Sequence, residues 1–174
     1  MLYQCYLNGL EDYTLDRRGD IGAWVREAAM TALMTLTQMI ADFDPTLIPT
    51  VCVQQMMPCL VQQAVEKIDR TRGRAGLIFA TLLRNEPEIP GIPNHDDVLK
   101  LIPKHFKDFP WTVESASFPI FCKLIHLEAY RERLILGLVV SIGGLTERLV
   151  KHAQIGLSSE LKQMSGEELQ TFIA

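Results

Sequence analysis

The sequence predicts an all-α fold, a curved stack of antiparallel helix pairs. Three observations carry this prediction. Apolar residues recur three and four apart over long stretches, the spacing of a buried helical face. The clearest strand candidates are short apolar fragments without alternation, and aromatic residues make up only 7% of the chain. The first long helix also lays onto the third at an offset of 46, which places Arg26 on Arg72, Ala29 on Ala75, Leu33 on Phe79, Leu36 on Leu82 and Asp20 on Glu66. A period near 46 residues built from helix pairs is the mark of a HEAT/armadillo-type α-solenoid. One helix pair leaves a face unburied, so neighbours stack, and the arginine and acidic residue of each unit can pair along the stack. An irregular helical domain in which two arginines coincide is the plainer alternative.

Taken in order, the first helix is expected from about Asp20 to Asp42, with Asp at its start and Asp44-Pro45 after its end. With Glu27 on the outer side, Val25, Ala29, Ala32, Leu33, Leu36 and Ile40 form the buried stripe. The outer row of Glu27, Thr31, Met34 and Gln38 is half apolar and suggests a weaker second contact. A second segment runs from Val51 to Ile68 and is kinked or restarted at Pro58, which has no amide proton. A third helix spans Arg72 to Arg84 and buries Ala75, Ile78, Phe79, Leu82 and Leu83.

Six of the nine prolines, Pro87, Pro90, Pro93, Pro103, Pro110 and Pro119, then fall together. They exclude a continuous helix and predict a proline-rich insertion holding one short helix, Asp96 to Ile102, with two aspartates in its first turn. Helices resume at Phe118–Leu127, Ala129–Ile142, Leu145–Ala153, Ser158–Met164 and Glu167–Phe172, the last announced by Ser165-Gly166-Glu167-Glu168. Gly143-Gly144 is expected to end one helix and let the next begin at an angle. The organisation read from this is a single solenoid segment, 1–174, of about three repeats: 20–70, 71–117 including the loop 85–117, and 118–174. The uncapped start and the end at Ile173-Ala174 suggest a piece of a longer array.

Composition limits the functions available. Apolar residues at 48% and charged residues at 22% allow a packed core. A net charge of -4 disfavours nucleic acid and anionic lipid as general partners. The longest uncharged apolar run, Leu134 to Leu145, falls short of the roughly twenty residues that span a bilayer. Cys5, Cys52, Cys59 and Cys122 are scattered, and with no secretory signal they read as reduced thiols of a cytoplasmic chain. Neither they nor His95, His105, His126 and His152 have metal-ligand spacing, so no metal or cofactor is expected. No Gly-x-Ser-x-Gly elbow and no phosphate-gripping Gly-Lys-Ser/Thr is present, so the chain reads as a non-enzyme.

What remains are candidate partner-binding residues. Lys67, Arg70, Arg72 and Arg74 form the densest basic cluster, either a solvated turn or a docking spot for an acidic surface. Arg17 and Arg18 form a second candidate on a loop. Arg18-Gly19-Asp20 spells an adhesion tripeptide, but in a reduced chain it reads as a turn and helix cap. An arginine supplied in trans to a GTPase is a further chemical option.

Three segments carry a family resemblance: DYTLDRRGDIGAWVREAAMTALMTLT (Asp12 to Thr37), QQAVEKIDRTRGRAGLIFATLL (Gln62 to Leu83) and FPIFCKLIHLEAYRERLILGLVVSIGGLTE (Phe118 to Glu147). Together they resemble the tubulin-specific chaperone D proteins, or tubulin-folding cofactor D, in that family's order. Departures concentrate between Asn85 and Glu114 and past Gln154. The resemblance implies part of the C-terminal half of a HEAT and armadillo-type solenoid, cytoplasmic and cytoskeleton-associated. Such a protein acts after the cytosolic chaperonin, captures β-tubulin, helps assemble the αβ heterodimer with cofactors C and E, and binds an Arf-like small GTPase. The assembled complex would stimulate GTP hydrolysis by tubulin. No catalytic motif carries over to a residue of this sequence.

Overall fold

The computed structural model describes residues 1–144 and 146–173. Among the described residues the chain is built of nine α-helices. Helix α1 (Leu2–Gly9) leads through a minimal hairpin, β1 (Leu15–Asp16) and β2 (Gly19–Asp20), into α2 (Gly22–Phe43). A 3-10 turn (Pro45–Leu47) precedes α3 (Thr50–Ala64) and α4 (Asp69–Leu83), and α5 (His95–Leu101) lies in the proline-rich stretch. Then come α6 (Glu114–Phe121), a 3-10 turn (Cys122–His126), α7 (Glu128–Ile142), α8 (Glu147–Leu161) and α9 (Gly166–Ile173).

The helices form two rows, as a stacked solenoid requires. In one row α3 packs between α1 and α7; in the other α2 packs against α4, with α6 and α8 closing the far end. The consecutive pairs α3–α4 and α7–α8 cross between rows through short joins. A single apolar core runs through both rows, centred on Leu33, Met57, Leu60, Phe79, Phe121 and Leu134. Burial of these side chains, each worth about 1.5–3 kcal/mol, is the main stabilising term.

Several expectations are corrected by this packing. Helix α2 packs against α1 on one flank and α4 on the other, so the second contact suggested by its half-apolar outer row is present and is as extensive as the first rather than weaker. Glu27, expected outside, is therefore buried, whereas Val25, expected inside, is exposed. The row from Glu27 to Gln38 faces α4 throughout, ending with Gln38 donating to Asn85 at 2.9 Å. Helix α3 runs unbroken through Pro58 and stops at Ala64, so Ile68 lies in the join. The carbonyl that Pro58 leaves unbonded belongs to Gln54, an exposed residue. Helix α8 continues to Leu161, absorbing the start of the separate helix expected at Ser158. Leu145, expected to open that helix, lies outside the described residues, as does Ala174. Helix α1 and the hairpin were not anticipated.

Other expectations hold. The third helix buries each of its five named residues. The last helix opens on a capping box, in which the Glu168 amide donates to Ser165 Oγ at 3.2 Å and Glu168 Oε2 accepts from the Ser165 amide at 2.7 Å. The sequence leaves open whether the proline-rich stretch is ordered; in the structure Ile89, Ile92, Val98, Ile102 and Trp111 are all buried. Tyr130 Oη donates to the Pro93 carbonyl at 2.7 Å, and Arg84 donates to the Ile102 carbonyl at 2.7 Å.

Helices α3 and α7 approach closely at Gly137, where a Cβ would run into the Gln62 carbonyl oxygen and the Val65 side chain. Ser141, one turn further along α7, donates to the Val65 carbonyl at 2.6 Å. Gly137→Ala is expected to cost about 1–3 kcal/mol through overpacking, despite the better helix propensity of alanine. Urea unfolding checks the sign.

Candidate functional site

The charged residues sort into two groups, one sealed between the helices and one on the outward face of α2 and α4. The sealed group centres on Arg26, which is fully buried. Its Nε donates to Gln63 Oε1 at 2.9 Å, and one terminal nitrogen donates to the Asp12 carbonyl at 2.6 Å and to Asp20 at 3.2 Å. The other reaches Asp20 Oδ2 at 3.0 Å and Glu66 Oε2 at 2.9 Å. The guanidinium carbon sits 4.1 Å from the Tyr13 ring centroid. All five N–H donors are thus used, and the hairpin, α2 and the α3–α4 join are tied together at one point.

The pattern repeats at the next unit. Arg72, also buried, donates to the carbonyls of Glu66 at 2.7 Å and Thr112 at 2.7 Å and lies 3.3 Å from Glu114. Glu114 in turn pairs with Arg148 of α8 at 2.8 Å. Acidic and arginine residues do pair along the stack, but inside it rather than on its surface. Burial works against ionised Glu66 and outweighs the help from Arg26, so its carboxyl titrates above the usual range. Burial likewise lowers the Arg72 guanidinium, with Glu114 opposing the shift. For Arg26 burial pulls the same way, but the Asp20 hydrogen bond and the charge of Glu66 overcome it and hold the guanidinium firmly protonated.

Arg72 is therefore withdrawn from the docking cluster expected for it. The α4 register explains this: Arg70 and Arg74 flank Arg72 by two positions, close to half a helical turn, so when they face outward it faces in. Lys67, Arg70 and Arg74 are exposed. Arg70 Nε binds Glu27 at 2.9 Å, and the Thr71 hydroxyl donates to that same carboxylate at 2.7 Å. Arg74 donates to the Thr31 hydroxyl at 3.1 Å. Arg17 and Arg18 occupy the exposed turn of the hairpin, where Gly19 takes a φ of 108° that a side chain would strain. Arg18 is paired with Asp16 at 2.8 Å and lies 5.8 Å from the Trp24 ring centroid. Asp20 caps α2 by accepting from the Ala23 amide at 3.0 Å, the role expected of it, and serves Arg26 as well.

The outward face also carries apolar residues that the sequence reading passed over. Trp24 is 57% exposed and Met39 62%. A signal was available: Trp24, Ala28, Thr35 and Met39 recur at helical spacing on the side of α2 opposite its core stripe, with no acidic residue among them. No helix among the described residues is long and apolar enough to cross a membrane.

Comparison with known proteins gives a family match. The model described as "Tubulin folding cofactor D C terminal" matches residues 54–174. The chain is 27% identical, over 190 aligned positions, to Tubulin-specific chaperone D of Dictyostelium discoideum, an alignment covering 98% of this chain. It spans only 13% of that relative's length. No solved structure matches the chain.

Proposed function

The chain belongs to the tubulin folding cofactor D C-terminal family, and from that premise we infer that it is a non-enzymatic binding module of a tubulin-specific chaperone. The client in this reading is β-tubulin, held during assembly of the αβ heterodimer after release from the chaperonin. Cofactors C and E and an Arf-like small GTPase are the further partners, and the setting is the cytoplasm and the cytoskeleton. The about three repeats, 20–70, 71–117 and 118–174, with the proline-rich stretch as an insertion in the second, would each add a strip to one extended face.

The observation that carries the binding reading is that Lys67, at the α3–α4 join, and Arg70 and Arg74 of α4 are all exposed while Arg72 is locked inside. An outward basic strip of this kind suits a folded client with an acidic surface, adding on-rate and orientation more than raw affinity. In the protein that carries this segment, the double variant Lys67→Glu, Arg74→Glu is expected to weaken β-tubulin capture by about tenfold or more. Its unfolding free energy should stay within about 1 kcal/mol of the parent, because both side chains are exposed. Undiminished capture by a folded double variant would remove the strip from the interface.

The hairpin turn favours a second reading, regulation of GTP hydrolysis. Arg17 stands at an exposed tip, the placement an arginine needs to reach a nucleotide in trans. Arg17→Ala would then lower stimulated hydrolysis by about 10³-fold or more while sparing binding. A loss confined to affinity would return the residue to docking.

A further inference from the structure

Two apolar depressions on the outward side of α2 meet at Arg74. The first, of about 630 Å³, has Leu2 and Tyr6 of α1 on one bank and Ala28, Ala32, Leu36 and Met39 along its floor. The second, of about 450 Å³, lies over the seam between α2 and α4, with Met34, Leu77 and Ile78 on its floor and Arg70 at its edge. Thr31 and Arg74 line both, and among the described residues no aspartate or glutamate lines either. Toward the start of α2 the exposed apolar surface continues through Val25 and Trp24. The result is a shallow apolar trench across the outward side of α2, from the α1 flank to the α4 flank, with the Arg74 guanidinium at its middle.

We propose that this trench is the docking groove for an acidic amphipathic helix of a partner protein. The apolar floor calls for an apolar face, and a helix laid across α2 supplies one as side chains spaced three, four and seven apart. Charge decides the rest of the chemistry. Arg70 already holds Glu27, but among the described residues the only acceptor on Arg74 is a neutral hydroxyl, so its remaining N–H groups are available to a carboxylate at mid-groove. A basic helix would meet two arginines with no acidic residue on the groove wall to receive it. The groove's chemistry does not depend on the partner being tubulin, so its test stands apart from tubulin capture.

The test uses the full chain and a labelled synthetic helix of about five turns, leucines on one face and glutamates elsewhere, beside a twin with lysine for every glutamate. Fluorescence anisotropy gives the affinities at low and high salt. The glutamate helix is expected to bind about tenfold or more tighter than its twin, with a preference that shrinks at high salt. Arg74→Glu should abolish or reverse the preference. Met39→Asp, at the exposed floor, should weaken both peptides, whereas Gln54→Asp on exposed α3 should weaken neither. Thermal unfolding of each variant separates lost binding from lost fold, and Thr35→Arg provides a second way to obstruct the groove. Equal binding of the two peptides, no binding of either, or a preference unmoved by Arg74→Glu would overturn the proposal. So would a chain dimer that Met39→Asp dissolves, since the occupant would then be a second copy.

Discussion

Arg26→Met lowers the unfolding free energy by about 3–5 kcal/mol, because it leaves Asp20 and Glu66 as buried carboxylates without their cation. Methionine nearly refills the volume, so the loss is electrostatic, and pH distinguishes it from a packing defect. Glu66 already titrates above its ordinary range in the folded parent, mainly through burial. Without Arg26 the charged form is disfavoured further, so folding favours the protonated acid. A carboxyl whose folded pKa is raised contributes stability below its unfolded pKa and loses it as pH rises. The deficit of Arg26→Met is therefore largest near neutral pH and shrinks as pH falls through the carboxylate range. Urea unfolding of parent and variant across that range measures it. A deficit independent of pH would mean that packing, not charge, is what Arg26 supplies.

Phe79→Ala is the second large effect, at about 3–5 kcal/mol. Phe79 is fully buried in α4 and joins both rows: its ring meets Phe121 edge-on at 5.6 Å between centroids and Tyr130 at 6.1 Å. Truncation empties the point where α4, α6 and α7 converge and forfeits two aromatic pairs worth about 0.5–1.5 kcal/mol each. For a chain of this size the loss corresponds to a fall of about 6–20 °C in the unfolding midpoint. Phe79→Leu, which keeps most of the volume, should lose far less. Equal losses for the two variants would place the ring outside the load between rows.

The helices were legible wherever one buried stripe dominated. Helix α4 shows this best, since its five apolar positions point the same way in sequence and in space. Helix α2 misleads because it is flanked on two sides, and a wheel with one polar pole has no place for a glutamate that is buried against Arg70 and Thr71. The correspondence of Asp20 and Arg26 with Glu66 and Arg72 was visible at an offset of 46, yet burial was not, because sequence spacing does not distinguish a surface ladder from a sealed one. That difference decides the candidate site. Arg72 lies in the basic run by letters and in the sealed group by register, whereas Arg70 and Arg74 stay outside. The apolar half of the outward face, Trp24 and Met39 above all, was hidden by the expectation that apolar residues on a helix mark its core.

Under the proposed function, α2 and α4 present the binding face and α3 and α7 do not. Photo-crosslinking residues placed one at a time at Thr35 and Leu77 on the first face, and at Gln54 and Val139 on the second, test it directly with β-tubulin as client. All four positions are exposed. Tubulin adducts are expected from Thr35 and Leu77 alone, and adducts formed mainly from Gln54 and Val139 would place the client on the other row.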